Sequence, residues 1–327
     1  EDCTVIIAKG THRWPNEAEI ARKVGPVIGA VWKVVVHDPD DDSVVGFRGT
    51  TARGTDVYIN KQFTGADIRI GLGGIVTHYM AGYGGGPKIM LPGVASRKTI
   101  QANHFLAASK RAAQSEIDGN PMYEDLIEAS RLAGMQLKID ALLDVNNQLV
   151  DVIIGEVAAE HRAAIAAYNA IYGYEVREPA DVTIACGYPL ENELIQSCKA
   201  VLSSDIATRD GGTIILLASC STGAGPGFAE AMSAKPDISL VWDWVREGKT
   251  TPTGGPMVAR VLGVFQRKQV ILVTTGIEPD VVRAMGFEYA PTPEAALEMA
   301  RRSHPSARVT VFPAGAAINP LRVAVAV

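Results

Sequence analysis

Residues 71–104 read GLGGIVTHYMAGYGGGPKIMLPGVASRKTIQANH, and this run constrains the chain more than any other stretch. Glycines at such density let the backbone adopt positive φ and approach a guest closely, with amide groups free to surround an anion. Within the run stand His78, the consecutive glycines Gly84, Gly85 and Gly86, then Lys88, Pro92 and Gly93, with His104 at its end. The same residue types also build ordinary tight turns. The Walker spacing is absent, and no GxGxxG follows a strand and opens a helix, so neither nucleotide fingerprint applies. A second stretch, Gly10-Thr11-His12-Arg13, closes the first expected strand. Histidines and a lysine thus converge on strand-end loops, where open α/β sheets bind ligands.

The rest of the chain alternates short apolar runs with helical periodicity. Residues 4–8 are β-branched and predict a buried parallel strand. Pro15 to Ile20 opens a short helix with acids in its first turn. Further strands are expected over 32–36, 57–60 and 66–71. A helix over 96–113 with Ser96 as its N-cap would place His104 within it. Asn120-Pro121 breaks that helix, and another follows over 122–133. Paired strands are expected over 137–143 and 149–154 around Asn146-Asn147, then a long alanine-rich helix over 155–168. Turn residues over 172–179 read as a linker. Beyond it come a strand over 181–186, a helix over 190–202, a strand over 212–218 and a second glycine-rich loop over 219–227. Strands over 270–274 and 309–312 alternate with helices over 279–284 and 293–302, the punctuation of a parallel sheet. The expected fold class is α/β with two domains, 1–172 and 173–327. Each is a mostly parallel sheet with flanking helices, and the active site is expected in the interdomain cleft.

At 327 residues the chain can hold two cores, and 47% hydrophobic with 20% charged residues describes a globular protein. A net charge of -5 without a basic cluster argues against nucleic acid or an anionic membrane as partner. No run approaches the roughly 18 apolar residues of a membrane span. The chain opens on Glu1-Asp2-Cys3 with no signal peptide, so a cytoplasmic location is expected. Four scattered cysteines without CxxC suit a reducing compartment, with Cys186 and Cys220 as small buried residues. His37, beside the acidic run 38–42, reads as structural, and His161, alone on a helix, as a packing or surface residue outside the site.

Several stretches together resemble one family: Gly10-Thr11-His12-Arg13, His78 followed by GGGPKIMLPG with Lys88, Asn103-His104, and Gly187-Tyr188-Pro189 with Gln196-Ser197-Cys198-Lys199. In identity and spacing they resemble the nickel-pincer-nucleotide lactate racemase family of 2-hydroxyacid racemases and epimerases. The resemblance covers nearly the whole chain, and its His/Lys/His portion is specific. It implies an isomerase whose first domain binds the cofactor and carries the catalytic residues. Lys88, beside Gly84, Gly85 and Gly86, would hold the cofactor through a thioamide. That cofactor is the nickel complex of pyridinium-3,5-bisthiocarboxylic acid mononucleotide. His104 would be the protein ligand to nickel, His12 and His78 the paired acid/base residues, and Gln196 and Lys199 the substrate contacts. A small-molecule 2-hydroxyacid and the cofactor-assembly enzymes would be the partners. Family members carry a further segment before the first strand, with residues that help hold the cofactor phosphate and substrate carboxylate, and the sequence shows none of it. Ile195 stands where the lactate enzyme carries an aromatic residue, which makes a larger or differently substituted 2-hydroxyacid as good a candidate as lactate.

The chemistry asks for such residues. A hydrogen beside both a hydroxyl and a carboxylate is a poor acid, because the carboxylate is already charged. Removing it as hydride, while a base takes the hydroxyl proton, avoids a dianion and leaves a flat 2-keto acid that accepts hydride on either face. Side chains offer no hydride acceptor, so a cofactor is required. Two imidazoles, each titrating near about 6.5, can serve the two faces. Two other readings remain: His12, His78 and His104 could hold zinc for hydrolysis, or the glycine loop could bind a nucleotide or phosphometabolite as a sensor.

Overall fold

The structure, a computed structural model, describes residues 3–144, 146–251 and 254–322. The chain forms two compact units, Glu1–Tyr168 and Asn169–Val327. Their boundary falls inside the helix Val157–Tyr172, ahead of the turn-rich stretch expected to divide them. Residues 173–176 of that stretch form a strand paired in parallel with Asn319–Arg322.

The first unit departs from the mostly parallel sheet expected of it, being built of several small sheets of mixed direction. Thr4–Ile7 runs parallel to Lys33–Val36, and of the first strand only Ile7 is buried. Val45–Thr50, not foreseen, pairs antiparallel with Asp56–Asn60. Ile70–Gly74 lies parallel along Leu137–Leu143, whose other edge takes Leu149–Gly155 antiparallel. Val76–His78 and Gly82–Gly84 make a short hairpin. Where connections are this short, strands return antiparallel, because a parallel return needs a crossover of a dozen residues or so. The unit's core holds Val57, Ile59, Met80, Leu91, Ile100 and Leu126.

Two caps set the helices that matter for the site. Ser96 accepts the Thr99 N–H and starts Arg97–Phe105, which ends well short of residue 113 and tightens into the 3-10 turn Leu106–Ala108. Asn120 accepts the N–H groups of Met122 and Tyr123 and starts Pro121–Leu132.

The second unit is the expected parallel α/β sheet. Its strand order is Glu288–Ala290, Gln269–Val273, Thr208–Leu217, Ala180–Cys186, Val309–Phe312, every pair parallel. Ile214, Ile215 and Leu216 are all fully buried, as befits a strand covered on both faces. Val182, Ile215 and Ile271 pack with Ala296 and Ala300 of the helix Pro293–Ser303. Helices Leu194–Ala207 and Gly254–Phe265 pack on each other and on the sheet.

Candidate active site

The first unit gathers most of the residues singled out in the sequence. Gly10 N–H donates to Gly93 O at 3.1 Å, which hangs residues 10–13 on the Pro92-Gly93 turn. His12 stands exposed on this loop, its N–H on Lys9 O at 3.1 Å. His78 ends the strand Val76–His78, and its Nδ1 accepts the N–H groups of Ala81 at 3.1 Å and Met80 at 3.3 Å. Its other nitrogen, Nε2, lies 3.2 Å from Lys88 Nζ. A contact between two nitrogens needs a lone pair on one of them, so ring and amine share a proton there. Lys88 sits in the 3-10 turn Gly86–Ile89, with its N–H on Gly85 O at 3.0 Å.

His104 lies one turn beyond Ile100 on the capped helix. Its Nδ1 donates to Ile100 O at 2.9 Å, which leaves the lone pair on Nε2. The side chain is 2% exposed. Burial, then the charges of Lys88 and His12, push its pKa down to about 3, so the ring is neutral near pH 7. A neutral imidazole with a fixed tautomer is the form that ligates nickel or another borderline metal. The neighbouring Asn103 donates to Asp125 Oδ2 at 2.8 Å and to Met122 O at 3.2 Å, tying this helix to the next. Among the described residues no group of three or more His, Cys, Asp or Glu side chains could hold a metal ion. The three-histidine zinc site is therefore not built. One histidine fits a metal whose remaining ligands arrive with it.

The glycine loop rests on a polar floor that the sequence reading missed. Its Gly84 O accepts from His161 Nε2 at 3.0 Å, and His161 Nδ1 faces Tyr123 Oη at 3.3 Å. His161 is fully buried, and burial chiefly pushes its pKa down to about 4. It is a packing residue, but one packed beneath the loop. Gly86 has φ +48, and a Cβ there would overlap the His161 ring, so only glycine fits. Gly86 N–H donates to Asp140 Oδ2 at 2.6 Å, and Asp140 pairs with the equally buried Lys138. The signal was present: Lys138 and Asp140 alternate with Leu137, Ile139 and Ala141. Alternation shows that two faces differ, not which one turns inward.

Gln196 and Lys199 belong to the second unit, three residues apart near the start of Leu194–Ala207 and so on one face. The chain leaves the strand Ala180–Cys186 for Thr208–Leu217 on one side and later returns to Val309–Phe312 on the other. That reversal is the topological switch point, where such sheets bind ligands. Lys199 is half-buried and its pKa is lowered by desolvation, with no carboxylate among the described residues paired to it. A desolvated ammonium of this kind suits an incoming carboxylate. Leu194 and Ile195 donate their N–H groups to Gly223 O and Ala224 O at 3.0 and 3.1 Å, which ties the second glycine-rich loop to the helix start. The Ile195 side chain lies against Gly225.

Other residues are accounted for structurally. His37 is buried with Nε2 on Ala95 O at 3.0 Å and Nδ1 on Asn60 Nδ2 at 3.1 Å. All four cysteines are free; Cys220 is buried, while Cys186 is only half-buried. No helix among the described residues is long and apolar enough to cross a membrane.

Residues 1–115 match the family model of the lactate racemase N-terminal domain, and residues 176–319 that of the lactate racemase C-terminal domain. The lactate racemase of Lactiplantibacillus plantarum is 31% identical over 322 residues, 95% of this chain and 75% of that protein. The lactate racemase of Thermoanaerobacterium thermosaccharolyticum is 28% identical over 322 residues, 96% of this chain and 75% of that one. The solved lactate racemase apoprotein of T. thermosaccharolyticum aligns with a TM-score of 0.89 at 27% identity, over 97% of this chain and 78% of that chain. A Thermotoga maritima protein aligns with a TM-score of 0.72 at 16% identity, over 98% of this chain and 86% of that chain, which speaks to fold alone.

Proposed function

From the premise that the chain belongs to the lactate racemase family and is an isomerase, we propose that it inverts a 2-hydroxyacid, lactate or a larger relative, by reversible hydride transfer. His12 and His78 are its acid/base pair, and Lys88 and His104 hold a nickel-pincer nucleotide. The observation that carries this reading is the meeting of Lys88 Nζ with His78 Nε2 at 3.2 Å, beside a neutral His104 that responds to the charges of both Lys88 and His12.

The bound cofactor supplies an electrophilic hydride acceptor, which no side chain offers. The chain's own residues do the rest. Lys88 would tether the group through its Nζ, and Gly84, Gly85 and Gly86, which carry no side chains, would leave room for it beside the loop. His104 would offer Nε2 to the metal, its Nδ1 being held on Ile100 O. His78 holds or releases a proton at Nε2, since its Nδ1 faces the backbone N–H groups of Ala81 and Met80. His12, on its own loop, holds or releases the proton for the opposite face. Lys199 balances the substrate carboxylate, and Gln196, on the same helical face, orients it. Ile195 and Gly225 shape the wall beside them and set which substituent is accepted.

Isotope tracing tests the reaction. Enantiopure 2-hydroxyacid deuterated at C2, turned over in ordinary water by protein made alongside the cofactor-assembly enzymes, should invert with its label retained. Washout into solvent would exclude hydride return. Intact mass of the same preparation should show an adduct that maps to Lys88; full cofactor occupancy with unmodified Lys88 would exclude the tether.

A further inference from the structure

Beneath the loop that carries Lys88 lie three charged side chains that the chemistry above does not use. Lys138 and Asp140 are fully buried and Glu160 is 2% exposed. Lys138 Nζ donates to Asp140 Oδ1 at 2.5 Å and to Ile139 O at 2.8 Å, while Asp140 Oδ2 accepts the Gly86 N–H at 2.6 Å. The loop is fitted closely to this carboxylate: a Cβ on Gly85, whose φ is +78, would come within 2.8 Å of Asp140 Oδ2. Glu160, near the start of Val157–Tyr172, is buried against Asp140, whose side chain and backbone face its carboxyl. Asp140 and Lys138 are the charged groups that face it from the strand, and on its own helix the adjacent His161 is neutral near pH 7. One lysine offsets one carboxylate; a second buried carboxylate beside the first is strongly disfavoured in its charged form.

We propose that Asp140 is a positioning residue for the loop bearing Lys88, and that Glu160 carries the single proton that keeps this buried acid pair and Lys138 electrically balanced. With Glu160 protonated the cluster is neutral and Asp140 stays on Gly86. When that proton leaves, an unbalanced charge is trapped under the loop and its anchoring weakens. Burial and the Asp140 charge push the Glu160 carboxyl up to about 7 from 4.5. A value raised in the closed state means that the stabilisation is complete below 4.5 and is lost as pH rises through about 7. The inference does not depend on what Lys88 carries.

Amide hydrogen exchange at Gly86 in the full chain tests it, with rates divided by the intrinsic base-catalysed rate. Glu160→Gln is neutral at every pH and mimics the protonated acid. Wild type and Glu160→Gln should protect Gly86 equally near about pH 4.5, and by about pH 8 the wild type should be at least about tenfold less protected. Asp140→Asn should lower protection throughout. A constant wild-type to Glu160→Gln ratio across that range, or a Gly86 indifferent to Asp140→Asn, would overturn the proposal. Should a variant fail to fold, infrared difference spectra of the wild type decide: a protonated buried carboxyl band at about pH 6 that is gone by about pH 8.5 supports it, and its absence overturns it.

Discussion

Lys88 Nζ lies 3.2 Å from His78 Nε2, while the same ring turns Nδ1 back to the N–H groups of Ala81 and Met80. Acid/base candidate and tether candidate therefore stand at the two ends of one glycine-rich loop, and neither can move without disturbing the other. The floor under that loop, Asp140 on Gly86 and His161 on Gly84, holds both in register.

If His12 and His78 serve opposite faces of a planar keto acid, each alanine variant should lose racemisation by about 10²–10⁴-fold. Each should still oxidise one enantiomer, and the two variants should differ in which. Single-turnover quench with keto acid quantified from each pure enantiomer reads this; equal loss on both enantiomers in both variants would refute the division.

Lys199 is desolvated and is paired with no carboxylate among the described residues. Replacing it with Met should lower kcat/KM by about 10–150-fold, mostly through KM, as expected for a charge-assisted hydrogen bond to substrate. Steady-state kinetics on a racemisable 2-hydroxyacid check it. An unchanged KM would remove Lys199 from substrate binding.

Ile195 rests on Gly225 at the start of its helix. Tyrosine there must turn away from the loop and narrow the wall beside Gln196. The kcat/KM ratio of lactate over a bulkier 2-hydroxyacid should rise by about 10–200-fold. A substrate panel that responds identically to both proteins would place Ile195 outside the pocket.

His104 and His161 are neutral in the fold, with pKa values pushed down to about 3 and about 4 from 6.5. Unfolded chain takes up those protons first, so stability is full above 6.5 and is lost as pH falls toward 4, each ring adding a slope of up to about 1.4 kcal/mol per pH unit. Urea midpoints followed across that range should fall less steeply in His161→Gln than in wild type. Parallel slopes would contradict the burial argument.

The second unit was the more legible in sequence, because apolar, β-branched runs alternate there with helix-length segments and leave few alternatives. Ser96 announced its helix through N-cap chemistry, whereas Asn120-Pro121, read as a helix break, turns out to cap the helix that follows it. Gly254–Phe265 went unforeseen because its opening Gly-Gly-Pro reads as loop, and only the following Met257, Val258 and Val261, all buried, make it a helix. In the first unit, Val45–Thr50 was hidden by two glycines and an arginine in six residues. His12, His78, Lys88 and His104 were singled out as candidates by the glycine-rich run and the family resemblance. Lys138, Asp140 and Glu160 were not, since buried charges become visible only when their partners are placed.

His104 takes its bearing from the Ile100 carbonyl, one turn back on its own helix, rather than from another part of the molecule. The aim of its Nε2 is thus geared to helical phase. Inserting or deleting one residue between Ser96 and His104 would rotate the donor by about 100° about the helix axis while leaving every residue type intact. If His104 is the proposed metal ligand, such a one-residue change should abolish metal capture, read as metal content of the purified protein, more completely than many conservative substitutions around it.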